Sequence, residues 1–342
     1  MREPQALTDL LVNACPSIRY RVREEILGEP VTGLEALRLR EEILSDRLVK
    51  EVLGWRKPDG WLGEEIHHEK GPETGIRILM EKGLRNHPVV AQALDALTSR
   101  GDSFDDGCLS KVGRALDMHH LGGSRMILAT VFAYAGVEDV PIVREQIDEA
   151  LYGFRFLEEV DGLEDVARPH KKWLVFREGA RWPSLYHLRL LAYTRSWRTG
   201  ENIKMLAEAV TKLVSISPIP QVYLLHRGQI MAPASVFMLD FCPDMKSMKP
   251  LEWLGWFHRV EMLSRLGVVS LVPQLAKQVE ELNREFLDGY GYFSLKLNHY
   301  SFHRWSPYTG LALEPDWKSN RKSKSWDLTF RCALINHYSG VG

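Results

Sequence analysis

Gly83–Leu97 reads GLRNHPVVAQALDAL, and Gly136–Leu151 reads GVEDVPIVREQIDEAL. Both run glycine, an aliphatic residue, a short polar turn, proline, then an amphipathic helix, and the two glycines lie 53 residues apart (83 to 136). A looser third copy is Gly267–Leu282, GVVSLVPQLAKQVEEL. An apolar helical segment precedes each copy, so the repeating unit is helix, glycine turn, proline-started helix. Glycine reaches the positive φ that ends a helix. Proline fits the first turn of the next helix, where its missing N–H leaves no bond unmade. Ordinary helix boundaries use the same residues; the shared order, spacing and apolar pattern mark a repeat.

The helices ahead of the glycines are the apolar ones: Arg125–Ala135 (RMILATVFAYA), Leu251–Leu266 (LEWLGWFHRVEMLSRL) and, in the same style, Leu185–Tyr193 (LYHLRLLAY). The proline-started helices are half charged. A helix apolar all round is buried and one with a polar face lies at the surface, so the pattern predicts an inner and an outer layer. Trp326–Tyr338, followed by Gly340, repeats the inner pattern and stops without an outer partner. An N-terminal helix, with Asp46–Trp55 the candidate, would supply that partner and close a ring. The predicted fold is all-α, a single α/α toroid of about five or six helical hairpins. Residues 1–34 form a helical lead-in, and the toroid runs over 35–342, closed by the last helix. The stretches 161–183, 216–250 and 289–325 read as long irregular loops, a length that usually marks function. The aromatics of 290–317 argue against disorder there.

The chain has 342 residues, 45% hydrophobic and 26% charged, enough for a large core in a soluble composition. Its net charge of −1 gives no bulk attraction to nucleic acid or anionic membrane, and no nucleic-acid partner is expected. Cys15, Cys108, Cys242 and Cys332 are widely separated, which suggests neither a zinc site nor a disulfide framework. The N-terminal MREPQALTDLLVNAC lacks a signal-peptide core, and no apolar run is long enough for a transmembrane segment. A cytoplasmic setting is the expectation. No nucleophile elbow, phosphate-cradling glycine loop or dinucleotide fingerprint is present.

Asp-Gly turns punctuate the chain at Asp59-Gly60-Trp61, Asp106-Gly107, Asp161-Gly162 and Asp288-Gly289-Tyr290. Those with an aromatic (Asp59-Gly60-Trp61 and Asp288-Gly289-Tyr290-Gly291-Tyr292), with helices ending in glycine and helices opening near proline, carry a resemblance. Over roughly residues 40–340 the sequence resembles the α/α-toroid superfamily of terpenoid cyclases and protein prenyltransferases, and most of all the bacterial prenyltransferase and squalene-cyclase repeat proteins. The resemblance implies concentric helical rings around a central cavity holding a small-molecule ligand. The catalytic motifs of that superfamily are not matched. Asp102-Ser103-Phe104-Asp105-Asp106 carries Ser103 where a DxDD acid motif has its first aspartate, no DDxxD cluster is present, and Thr329 stands where a prenyltransferase zinc ligand would be cysteine. Neither a metal nor another cofactor is therefore expected.

Candidate catalytic groups are Asp105 and Asp106, where neighbouring carboxylates raise one another's pKa, and Glu65 and His68 in the Glu64–His68 stretch, which offers acid/base groups. A capping turn and a polar loop explain the same residues. Candidate substrate-binding residues are Trp182, Tyr186 and His187 at the start of the third apolar helix, His303, Arg304 and Trp305 in the late aromatic loop, and Asp327 at the last helix. Arginine, aromatics and histidine together suit stacking on a flat or charged ligand; core packing uses the same types. His119-His120-Leu121-Gly122-Gly123, ahead of the second apolar helix, and a basic run at Lys318, Arg321, Lys322 and Lys324 are further polar features. The leading expectation is a cyclase- or transferase-type enzyme acting on an isoprenoid-like small molecule. A carbohydrate-processing (α/α) barrel and a non-catalytic ligand-binding or interaction toroid are the alternatives. Oligomeric state is not legible.

Overall fold

The computed structural model describes residues 5–30, 32–100 and 109–341. In chain order the helices are α1 (Gln5–Asn13), α2 (Pro16–Arg21), α3 (Leu34–Leu44), α4 (Arg47–Leu53), α5 (Pro72–Glu81), α6 (Pro88–Arg100), α7 (Leu109–Met118), α8 (Ser124–Tyr134), α9 (Pro141–Arg155) and α10 (Leu163–Val166). A hairpin of β1 (Ala167–His170) and β2 (Trp173–Phe176) precedes α11 (Leu185–Tyr193) and α12 (Gly200–Ser215), and a second, β3 (Leu224–His226) with β4 (Gln229–Met231), precedes α13 (Pro250–Leu266), α14 (Pro273–Glu281) and α15 (Arg321–Ser339). No helix among the described residues is long and apolar enough to cross a membrane.

The repeated unit takes the expected local form. Gly83, Gly136, Gly267 and Gly340 follow α5, α8, α13 and α15 with φ of 88°, 77°, 79° and 65°. Pro88, Pro141 and Pro273 open α6, α9 and α14. In α8 every residue from Met126 to Tyr134 is buried, and so is Leu185–Ala192 of α11, whereas α9 hides one face only.

The chain forms two compact units. The first comprises residues 1–99, 249–257 and 277–342, and the second 100–248 and 258–276, so the boundaries fall at the end of α6, just ahead of α13, and within α13 and α14.

In the first unit α15 packs on α1 and on the π-helical turn Val22–Ile26, while α4 packs on α5. The partner of the last helix is thus α1, from the stretch read as a lead-in. Leu10, Ala14, Ile18 and Val22 meet Leu313, Phe330 and Leu334 in one apolar cluster. Each of the larger side chains contributes about 1.5–3 kcal/mol on burial. A charged network runs beside it. Glu81 Oε2 accepts from Arg21 Nη1 at 2.5 Å and from Arg331 Nη2 at 3.0 Å, and Arg331 also donates to the Leu311 carbonyl at 2.6 Å. Both guanidiniums lie over the Phe330 ring, 5.0 and 5.6 Å from its centre. Burying these charges is tolerated because each finds an opposite charge or a carbonyl.

The long stretch 287–320 is held by aromatics. Phe293 packs against Trp253 and Phe257 at ring separations of 5.4 and 5.5 Å, and Trp317 stacks on Phe302 at 5.5 Å. Tyr290 and Tyr300 stay exposed.

In the second unit α8 packs on α7, α9 and α11, α11 also packs on α9, and α12 covers α9. The two hairpins lie where irregular loops were expected. β1 pairs antiparallel with β2, β3 with β4, and Tyr223 exchanges hydrogen bonds of 2.9 Å with Leu174 and Phe176 that join the hairpins. Arg227 and Gly228 at the β3–β4 turn have φ of 49° and 79°, the type I′ arrangement that matches strand twist. The fold is therefore predominantly helical, with two small two-stranded sheets added to the helices.

Candidate functional site

The site grows from the loop after α4. Trp61 N–H donates to Asp59 Oδ1 at 3.0 Å, and the indole Nε1 donates to the Glu64 carbonyl at 2.7 Å. Beyond it the chain folds back on itself. A Cβ on Gly63 would sit 1.8 Å from the Lys70 carbonyl oxygen, and one on Gly71 would sit 1.9 Å from that of Glu65. Glu64 N–H bonds the Lys70 carbonyl at 2.9 Å, closing the loop. This closure decides which side chains face where. Glu64, Glu65 and His68 are exposed, Ile66 is buried, and His67 turns inward.

His67 bridges two walls of this site. Its Nδ1 lies 2.7 Å from Glu73 Oε2 in the first turn of α5, and its Nε2 lies 2.6 Å from the Tyr308 hydroxyl. The Glu73 side chain is fully buried and that of His67 is 9% exposed. The tautomer with its proton on Nδ1 donates to the Glu73 carboxyl oxygen and leaves Nε2 to accept from the Tyr308 hydroxyl. One turn further along α5, Arg77 fastens the other wall. It donates to the carbonyls of Gly310 at 3.2 Å, Thr309 at 2.5 Å and Ser306, and its guanidinium lies 4.9 Å from the centre of the Trp305 indole. Ser306 and Thr309 hydroxyls bond each other at 2.7 Å, which tightens the turn carrying Tyr308. Arg304 forms an ion pair with Glu69 across the two loops.

The structure thus brings together two stretches singled out separately in the sequence, 64–68 and 303–305, but through residues between and beside those named. Glu65 and His68 point outward. Trp305 packs on Arg77 and against the apolar cluster of α1 and α15. His303 is half-buried against Trp317, at a ring separation of 5.6 Å. Burial first, then Lys318 and Lys324, hold its pKa below the usual histidine value.

Asp327, expected to bind substrate, is buried and engaged by the protein. It accepts from Leu313 N–H at 2.7 Å, Glu314 N–H at 2.9 Å and Trp317 Nε1 at 2.6 Å. These bonds anchor the loop ahead of α15, and burial pushes the Asp327 carboxyl up. Beside it burial pushes Glu314 up to about 7, and Glu314 accepts the Cys15 N–H at 2.6 Å. Asp105 and Asp106 lie outside the described residues.

Trp182, Tyr186 and His187 belong to the second unit, and all three are buried. Trp182 packs near Phe176, and Tyr186 lies under the Arg189 guanidinium, 5.6 Å from its ring centre. His187 Nδ1 accepts the Ser184 N–H at 3.0 Å and lies 2.8 Å from its hydroxyl, fastening the start of α11. Its other edge packs on Gly153, and Nε2 has no hydrogen-bond partner among the described residues. Burial pulls its pKa down to about 3, so the ring is neutral around neutral pH.

A second polar cluster in the same unit was only partly visible in the sequence. His119 Nε2 lies 3.0 Å from His226 Nδ1 at the start of the β3–β4 turn. Glu149 Oε1 lies 2.9 Å from both His120 Nδ1 and Arg181 Nη1, and Arg181 lies 4.2 Å from the Tyr152 ring centre. Among the described residues no group of three or more histidine, cysteine or acidic side chains is placed to hold a metal ion.

No family model, curated protein or solved structure matches the chain.

Proposed function

We propose that this chain is an α/α-toroid enzyme that moves a proton on a small molecule, with Tyr308 as the transfer group, His67 as its base and Glu73 as the residue that orients the base. The observation that carries the reading is the pair of hydrogen bonds on His67, 2.7 Å to Glu73 and 2.6 Å to Tyr308. A base held by a carboxylate on one ring nitrogen and facing a hydroxyl on the other is the arrangement that activates that hydroxyl. The toroid reading is supported by the recurring helix–glycine–proline unit, by the alternation of buried and amphipathic helices, and by the packing of the first helix on the last.

The chemistry of the group narrows the reaction. A phenol is too weak an acid to protonate an alkene. It suits a transfer or isomerisation in which the proton moves at an oxygen or at a carbon beside a carbonyl. Isoprenoid cyclisation would need a stronger acid, for which the Asp102–Asp106 stretch is the candidate in the sequence.

The test is turnover of a small-molecule extract followed by untargeted mass spectrometry, for the wild type and for Tyr308→Phe, His67→Gln and Glu73→Gln. Tyr308→Phe should retain its helical circular dichroism and lower the rate of any consumed species by about 100-fold or more. Equal turnover in wild type and Tyr308→Phe removes Tyr308 from the chemistry. Retention of a compound without conversion by the wild type gives the chain to the non-catalytic ligand-binding reading.

A further inference from the structure

In the first unit a cavity of about 330 Å³ opens between the segment Phe293–Asn298 and the start of α15. Its lining includes Lys296, Lys318, Arg321 and Lys324, and no acidic residue. Lys296, Lys318 and Arg321 are exposed, and Lys324 is half-buried with its Nζ on Asn298 Oδ1 at 2.6 Å. None of the four has an ion-pair partner among the described residues. Several buried or half-buried cations of this unit are matched: Arg21 and Arg331 share Glu81, Lys82 meets Asp46 at 2.9 Å, and Arg19 meets Glu35 and Glu42 at 3.3 Å. Four like charges around one hollow repel one another unless an anion joins them.

The walls are built, not loose. Trp317, one residue before Lys318, is 3% exposed, stacked on Phe302 and hydrogen-bonded to Asp327. Opposite it, Phe293 N–H bonds Thr329 Oγ1 at 3.1 Å, and the Phe293 ring sits among Trp253 and Phe257. Asn320 Oδ1 takes up the Lys322 and Ser323 amides at 3.0 and 3.4 Å, so the cationic side chains, not the free amides of the helix end, are what the cavity offers a ligand.

We infer that this cavity is a binding site for a phosphoryl-bearing anion, of the size of a diphosphate or a phosphorylated headgroup. The volume lies at the lower end of small-ligand sites, which excludes a bulky ligand lying wholly inside. Cations and serine hydroxyls on both walls, with the Asn298 amide, match the several oxygens of a phosphoryl group. The site is separate from Glu73–His67–Tyr308 and stands or falls independently of it.

The probe is inorganic pyrophosphate, titrated calorimetrically into the full chain at low and high salt. The partners in the comparison are the double variant Lys318→Gln/Arg321→Gln and the distant control Lys204→Gln, whose side chain is 78% exposed. Saturable binding at one site, weakened at least tenfold in the double variant, unchanged in the control and reduced by salt, is the expected result. Vesicles of phosphatidylcholine with and without phosphatidate form a second arm. Capture by phosphatidate alone, lost in the double variant, identifies a lipid headgroup as the source of the same phosphoryl chemistry. Absence of binding in both arms overturns the inference, as does binding that the double variant leaves intact. So does tight binding of a single-stranded oligonucleotide by a chain that ignores pyrophosphate and phosphatidate.

Discussion

One step along the chain separates His67 from His68, and the two residues live in different worlds. His68 is exposed, while His67 bridges a buried carboxylate and a phenol. In the sequence the pair looks equivalent, because orientation is set by the closure of Gly63 on Lys70 and of Gly71 on Glu65, contacts no periodicity announces. Asp327 was legible as important, but its partners Leu313, Glu314 and Trp317 lie 10 to 14 residues away, and their convergence turned a candidate ligand into an anchor. His187 supports a prediction at this scale. Its folded pKa is about 3, and the unfolded value is near 6.5. Between these values the unfolded chain binds more protons, so the contribution to stability is whole above pH 6.5 and shrinks as the pH falls towards 3. Urea unfolding at pH 8 and pH 5 should show a loss of about 2 kcal/mol from this residue, absent in His187→Gln. An identical acid-induced loss in the variant removes His187 as its source.

At the scale of elements, the glycine and proline boundaries were readable because the chemistry that ends and starts a helix is local. The β-hairpins were not. Their strands are three or four residues long, and β3–β4 depends on a turn in which Arg227 adopts positive φ, a conformation arginine does not advertise. The glycine turns also differ among themselves. Gly267 has open space where an added methyl would sit, so its alanine variant meets only the left-handed backbone penalty, about 1 kcal/mol. At Gly83 the same methyl would lie 2.5 Å from the Tyr20 ring. Gly83→Ala should therefore cost about 2–4 kcal/mol, overpacking added to backbone strain, against about 1 for Gly267→Ala. Equal costs by urea titration would show that the Tyr20 ring moves aside freely and that packing there is loose.

At the scale of the whole molecule, the first unit is assembled from both ends of the chain, with α15 supplying Phe330 and Leu334 to a core begun by α1 and α2. Removing residues 321–342 should abolish the amide-exchange protection of α1, α2 and α5, since it takes away both the apolar cover and the Arg331 partner of Glu81. Protection persisting in those helices would mean that the last helix is an addition and not a member of the core. The repeat was visible from the sequence; the pairing of α15 with α1 was not, because α1 carries only a short apolar face with none of the glycine and proline punctuation.

The Glu81 network also acts as a vernier for α15. Sliding that helix by one turn in either direction brings position 327 or position 335 to the place of Arg331. The first would set the carboxylate of Asp327 against that of Glu81, and the second would offer it Ile335. A one-turn displacement still presents an apolar side chain at each step, since Trp326, Phe330, Leu334 and Tyr338 follow one another at four-residue spacing on the core face, whereas a buried carboxylate facing another carboxylate or a hydrocarbon costs several kcal/mol. The charged cluster thus singles out one alignment of the chain's last helix from neighbours that its hydrophobic face alone would barely distinguish.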